Sequence, residues 1–200
     1  DHQRQRFLLY LGRIDAGKGC SDLIQAVLDY NRRHKQPLEL RLAGSLQLKL
    51  PRDPAIQYLG YVSETQKQAL LRTARALVMP SLYESLSLVT LEAMASLCPV
   101  LVNGRNPVLM EHLQNSGCGA AWHTDEELMQ AFAYLQKMDD SVCDTGRPGS
   151  DSQLQYPVAG LDRSLQQSFS PASLQAGYKY VAHNFSLEVV QRKLIGLMES

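Results

Sequence analysis

Short apolar runs alternate with helical patterns along most of this chain, and that alternation limits what it can fold into more than any other feature. The runs are Phe7–Leu11, Leu38–Ala43, Ile56–Leu59, Ala76–Met79, Pro99–Val102 and Gly119–Trp122. Each reads as a short strand, and Ala76–Met79 as a buried one. Helices fill the gaps between them. Ser21 is placed to cap a helix in which Leu23, Ile24, Val27 and Leu28 share one face. Ser63 and Gln66 stand at capping-box spacing, as do Thr124 and Glu127 ahead of a helix to about Met138. Leu86–Ser96 reads as a further helix. Asn106-Pro107 opens another, which Gly117 ends. Six strands interleaved with helices predict a mainly parallel six-stranded sheet covered on both faces, a Rossmann-like three-layer α/β/α fold.

The rhythm breaks at Asp139–Ser170, which is rich in Ser, Asp, Gln, Gly and Pro and predicts an irregular insertion. Two closing helices follow, over Pro171–Asn184 and Ser186–Glu199. In the second, Leu187, Val190, Leu194 and Leu197 recur at helical spacing. The 200 residues are expected to form one domain. Asp1 leads almost at once into an apolar strand with no initiator methionine, so the chain reads as a piece of something longer.

Twenty basic residues balance twenty acidic ones, which argues against a general nucleic-acid binder. No apolar run is long enough to span a bilayer and no signal peptide opens the chain, so the expected compartment is the cytoplasm. Cys20, Cys98, Cys118 and Cys143 are scattered, without metal-ligand or disulfide-framework spacing, and read as reduced thiols. His112 and His123 have no partners at ligand spacing and read as surface or satisfied histidines. Asp15 and Asp22 favour the first turn and helix start. Trp122 reads as core, and Tyr178 and Tyr180 as helix-surface aromatics. Tyr83 either lines a cleft or packs.

Two turns carry the chemistry. The first strand runs into Gly12-Arg-Ile-Asp-Ala-Gly-Lys-Gly19 and then a helix. Glycines let backbone amides approach a ligand, the helix adds its positive end, and Arg13 and Lys18 supply charge for a diphosphate. This is not a P-loop: Gly19 stands where a magnesium-binding hydroxyl residue would be. Nor does G-x-G-x-x-G follow the strand, which disfavours a nicotinamide enzyme. The second turn, Pro80–Ser85, joins a strand to a helix at the carboxyl edge of the sheet, where open α/β sheets bind ligands. Glu84 lies in this turn and Glu92 in the helix. Carboxylates suit neighbouring hydroxyls, so one is expected at a sugar and the other at a ribose diol.

Taken in order, Gly12-Arg-Ile…Lys18-Gly19, Leu42-Ala-Gly44, Leu59-Gly60-Tyr61, Pro80-Ser81, Glu84-x7-Glu92-Ala-Met-Ala95 and Cys98-Pro-Val100 resemble the C-terminal, donor-binding half of a retaining GT-B glycosyltransferase of family 4. Glu111, Gly117, Gly119 and Ala182–Ser186 extend the likeness, which covers residues 6–138 and 171–200. The resemblance implies a nucleotide-sugar-binding domain whose acceptor-binding N-terminal partner domain is absent from this chain. It implies that Arg13 and Lys18, beside Gly12, meet the donor diphosphate and that Glu84 holds the sugar; these three are the expected catalytic groups. Glu92 would hold the ribose, backbone amides of Ser87, Leu88 and Val89 a phosphate oxygen, and Tyr61 the base. No metal or cofactor is implied, and no Asp-x-Asp motif is present. The donor would be a UDP- or GDP-linked hexose, and the acceptor a sugar or lipid-linked sugar in polysaccharide or lipopolysaccharide synthesis, with peripheral contact at the inner membrane face. At Ser87 the family usually has glycine, and a serine there would crowd or hydrogen-bond the donor. Leu97 replaces another common glycine and would change only a helix end. The competing expectation is a non-catalytic module with a decayed donor site, serving assembly.

Overall fold

The computed structural model describes residues 7–138 and 163–186. Asp1–Arg6, Cys143, most of the Asp139–Ser170 insertion and the last expected helix, beyond Ser186, lie outside the described residues. Six strands form one all-parallel sheet: β1 (Phe7–Leu11), β2 (Glu39–Ala43), β3 (Ile56–Gly60), β4 (Ala76–Met79), β5 (Val100–Asn103) and β6 (Ala120–Trp122). Their spatial order is β3-β2-β1-β4-β5-β6. The helices are α1 (Cys20–Arg33), α2 (Glu64–Thr73), α3 (Leu88–Ala95), α4 (Pro107–Ser116), α5 (Asp125–Lys137), α6 (Arg163–Ser168) and α7 (Pro171–Phe185). The expected Rossmann-like layers are present, and the sheet is parallel throughout.

Strand periodicity makes the layers. Leu8 and Tyr10 of β1 join Leu40, Leu42, Val78 and Leu101 in a core under α1 and α5. Phe7, Leu9 and Leu11 face the other way and join Leu77, Met79, Val100 and Val102 in a core under α3, α4 and α7. Successive side chains of a strand point to opposite faces, so continuous apolar strands require two covered faces. Arg41 escapes this pattern by laying its guanidinium over the Phe7 ring, 3.9 Å from the centroid.

Locally encoded ends form as read. Ser63–Gln66 and Thr124–Glu127 are complete capping boxes, and Asn106 caps α4 with Pro107 at its start and Gly117 at its end. Ser21 does not cap α1. That helix begins at Cys20, two residues before a Ser21 cap would start it, after Gly19 in the left-handed region with φ 73°. Helix α3 starts at Leu88, two residues later than expected. Within the supposed irregular insertion, Arg163–Ser168 is helical. The anchor is Phe169, buried and stacked on Tyr134, while the Gly119 amide donates to the Ser168 carbonyl.

No helix among the described residues is long and apolar enough to cross a membrane.

Candidate functional site

The strand order reverses between β1 and β4, which are neighbours although both continue into strands on opposite sides. The loops that follow them stand at the carboxyl edge where the order reverses, the usual place for a ligand in such a sheet. They are the two loops singled out in the sequence.

The β1 loop is fixed from three directions. The Gly12 amide donates to Ala43, and the Ile14 amide to Ser45, tying the loop to the one after β2. At their crossing, a Cβ on Gly44 would lie 2.0 Å from the Gly12 carbonyl oxygen, so the close approach requires glycine. The Tyr10 hydroxyl donates to the Arg13 carbonyl at 2.7 Å. Asp15 closes the turn: Oδ1 accepts the Lys18 amide at 2.8 Å, and Oδ2 pairs with Arg13 Nε. The Arg13 guanidinium holds the Asp15 carboxyl below the usual range. Arg13 is 56% exposed, and its Nη groups have no partner among the described residues.

The β4 loop packs directly on this turn. A Cβ at Gly19 would come within 2.7 Å of the Pro80 carbonyl oxygen, so the start of α1 and the end of β4 touch through backbone. Lys18 then reaches across. Its Nζ donates to the Tyr83 carbonyl at 3.1 Å and to Glu84 Oε1 at 2.8 Å. The pair is largely enclosed, with side-chain exposures of 26% and 14%.

Side chains that the sequence reading did not assign to the site brace the same loop. Asn103 Nδ2 donates to the Pro80 carbonyl, and Asn106 Nδ2 to the Ser81 carbonyl, both at 3.1 Å. His112 is buried, with Nε2 2.7 Å from the Leu86 carbonyl and Nδ1 3.1 Å from the Tyr180 hydroxyl. It is a satisfied histidine, as read. Tyr180 is not a surface aromatic, because α7 turns it inward to meet His112. The signal for Asn106 was present in Asn-Pro, read only as a helix start. His112 and Asn103 carried no signal, since their partners lie far away in sequence.

Ser87 precedes α3 with φ 54° and ψ 62°. Its hydroxyl is buried against Thr90 Oγ1 at 2.8 Å. The serine thus keeps the left-handed backbone that favours glycine and turns its side chain inward. Leu97, at φ 56°, is the other described non-glycine residue with positive φ. Both positions thought to depart from a family glycine therefore retain glycine-like backbone. The amides of Leu88 and Val89, at the open end of α3, have no hydrogen-bond partner among the described residues, as expected of a helix N-terminus.

Glu92, one turn further along, is held by Lys67 of α2, whose Nζ is 2.6 Å from Oε1 and 2.9 Å from Glu64 Oε2. Glu92 Oε2 is buried without a hydrogen-bond partner among the described residues. Tyr61, after β3, and Tyr83 are each 81% exposed. Tyr83 therefore does not pack. The structure brings Lys18, Glu84 and the Asp15–Arg13 pair into one constellation, while Glu92 forms a second with Lys67. Tyr61 stands apart on its own loop.

A separate cavity of about 480 Å³ opens between α1 and α5 and adjoins the constellation at Gly19, Pro80 and Asn103. Among the described residues, no group of three or more His, Cys, Asp or Glu side chains is placed to hold a metal ion.

Residues 2–142 match the model of a family described as glycosyl transferases group 1. The O-antigen chain mannosyltransferase B of Escherichia coli is 34% identical over 147 residues, covering 68% of this chain and 38% of that protein. A glycogen synthase of Mycobacterium tuberculosis is 35% identical over 141 residues, covering 66% of this chain and 34% of that protein. The chain thus spans about a third of the length of these curated relatives. Among solved structures, a variant of TarM from S. aureus, in complex with fondaparinux, α-GlcNAc-glycerol and UDP, superposes with a TM-score of 0.72 at 17% identity. That match covers 100% of this chain and 36% of the other. At such identity the likeness speaks to the fold alone.

Proposed function

The chain belongs to the glycosyl transferases group 1 family, and from that membership we propose that it binds the nucleotide-sugar donor of a hexosyltransferase acting with retention of configuration. The observation that carries this reading is the Lys18–Glu84 pair at the sheet's reversal point, with the unpartnered amides of Leu88 and Val89 in the same loop-to-helix segment.

Each group has a physical role in this reading. Arg13 and Lys18 meet the diphosphate beside Gly12 and stabilise charge on the departing nucleoside diphosphate. The open amides at Ser87, Leu88 and Val89 add the positive end of α3, so fixed cations and a helix terminus do work that a divalent metal does elsewhere. Glu84 accepts hydrogen bonds from donor-sugar hydroxyls. Glu92 accepts them from the ribose, and Tyr61 offers an exposed ring to the base. The acceptor, a sugar or lipid-linked sugar, would be held by a further domain facing this edge. Relatives named for O-antigen and glycogen synthesis support a polysaccharide or lipopolysaccharide product. The work would take place in the cytoplasm or at the inner membrane face.

A decayed, non-catalytic module is the competing reading. Ser87 does not favour it: the hydroxyl faces Thr90, and the backbone keeps the conformation glycine would adopt. Titration calorimetry with UDP, GDP and ADP decides between them. At least one should bind, and Arg13→Ala or Glu92→Ala should weaken it about tenfold or more. Failure of all three nucleotides to bind would overturn the donor-site reading.

A further inference from the structure

Lys18 is engaged by Glu84. Resting on the donor-site reading above, we propose that Glu84 competes with the donor diphosphate for Lys18, and that sugar hydroxyls on Glu84 relieve the competition. Glu84 would then discriminate a nucleotide sugar from a bare nucleoside diphosphate.

The geometry sets up this competition. Lys18 carries one positive charge and three donors, of which one goes to the Tyr83 carbonyl and one to Glu84 Oε1. A diphosphate arriving at the β1 loop meets an ammonium already neutralised by a carboxylate 2.8 Å away. It must either draw Lys18 off, stranding Glu84 in a largely enclosed position, or share it and place two anions around one cation. Both outcomes weaken binding, and the enclosure limits solvent screening of the repulsion. Arg13 does not remove the conflict, because its Nε side is committed to Asp15.

A sugar attached to the diphosphate changes the balance. Its hydroxyls donate to the Glu84 oxygens and give the carboxylate partners other than Lys18, which is then free for phosphate. The flexible lysine stem permits that shift without moving the loop. Once the sugar has left, Glu84 loses those donors and recaptures Lys18, so the spent nucleoside diphosphate is held less tightly than the substrate. Discrimination comes from an element that repels the wrong ligand as well as one that attracts the right one.

The test is calorimetric titration of the protein and its Glu84→Gln and Glu84→Ala variants with UDP and UDP-glucose, and with GDP and GDP-mannose. In both variants the nucleoside diphosphate should bind about threefold to tenfold more tightly than in wild type, the range expected when a half-buried ion pair ceases to compete. The wild-type preference for the nucleotide sugar should shrink in parallel. If wild type binds a nucleoside diphosphate and neither variant tightens it, the competition is overturned while the donor site stands. If wild type binds none of the four ligands, both readings fall.

Discussion

Lys67 Nζ lies 2.6 Å from Glu92 Oε1, joining α2 to α3, while Glu92 Oε2 is buried without a hydrogen-bond partner among the described residues. A buried acceptor without a donor is costly, and the shortfall is of the kind a bound hydroxyl would correct. Lys67 fixes the carboxylate so that this oxygen has one position.

Replacing Lys67 should therefore act through Glu92. Lys67→Met leaves a partly enclosed carboxylate uncompensated and is expected to cost about 1–2 kcal/mol of stability in urea unfolding. Nucleotide affinity should fall about tenfold, and Lys67→Arg should restore most of it by returning the charge. Undiminished affinity in Lys67→Met would sink the positioning role.

Backbone strain at Ser87 and Leu97 should invert the usual ranking of small residues. Alanine normally exceeds glycine in stability at an ordinary helix position. At φ 54° and 56° the Cβ itself is the liability. Ser87→Gly should be more stable than Ser87→Ala, and Leu97→Gly more stable than Leu97→Ala, by about 1 kcal/mol each in thermal or urea unfolding. Comparing glycine with alanine cancels the loss of the native side chain, so the difference reports the backbone. Equal stabilities would remove the strain argument.

Cys118 should make the fold sensitive to alkali. Burial pushes its thiol from an ordinary 9.0 up to about 11, with Gly177 of α7 packed against it. The folded state therefore keeps the proton longer than the unfolded chain. The resulting stability is complete below the unfolded value and is lost as pH rises from about 9 towards 11. Wild type should lose on the order of 1–2 kcal/mol more than Cys118→Ala between about pH 8 and pH 11, measured by urea unfolding. Parallel pH profiles for the two proteins would contradict this.

Much of the architecture was legible because its causes are local. β1 and β4 fall on the apolar runs read for them, β2, β3 and β6 differ by one residue at one end, and β5 is shifted by one residue at both. Both capping boxes and the Asn106–Gly117 helix need only neighbours in sequence. Where a distant partner decides, the reading failed. The start of α1 follows from Gly19 pressed against Pro80, so a cap at Ser21 is two residues too late. Arg163–Ser168 has no convincing helical pattern of its own, and its end is held by Phe169 in the core. Tyr180 on α7 reads as exposed from its own helix, and the distant His112 is what turns it inward.

The sequence alone determined the layers and the two loops at the carboxyl edge, because apolar periodicity, capping residues and glycines act over a few residues. It also supplied Arg13, Lys18, Glu84 and Glu92 as the groups to follow. Only the tertiary structure decided how they are coupled. Lys18 and Glu84 are 66 positions apart and Lys67 and Glu92 are 25, and no local pattern encodes which cation meets which carboxylate. The β1 and β4 loops meeting at the sheet's reversal make the first pair and the helices α2 and α3 the second, and their low exposure gives these charges consequences they would lack in open solvent.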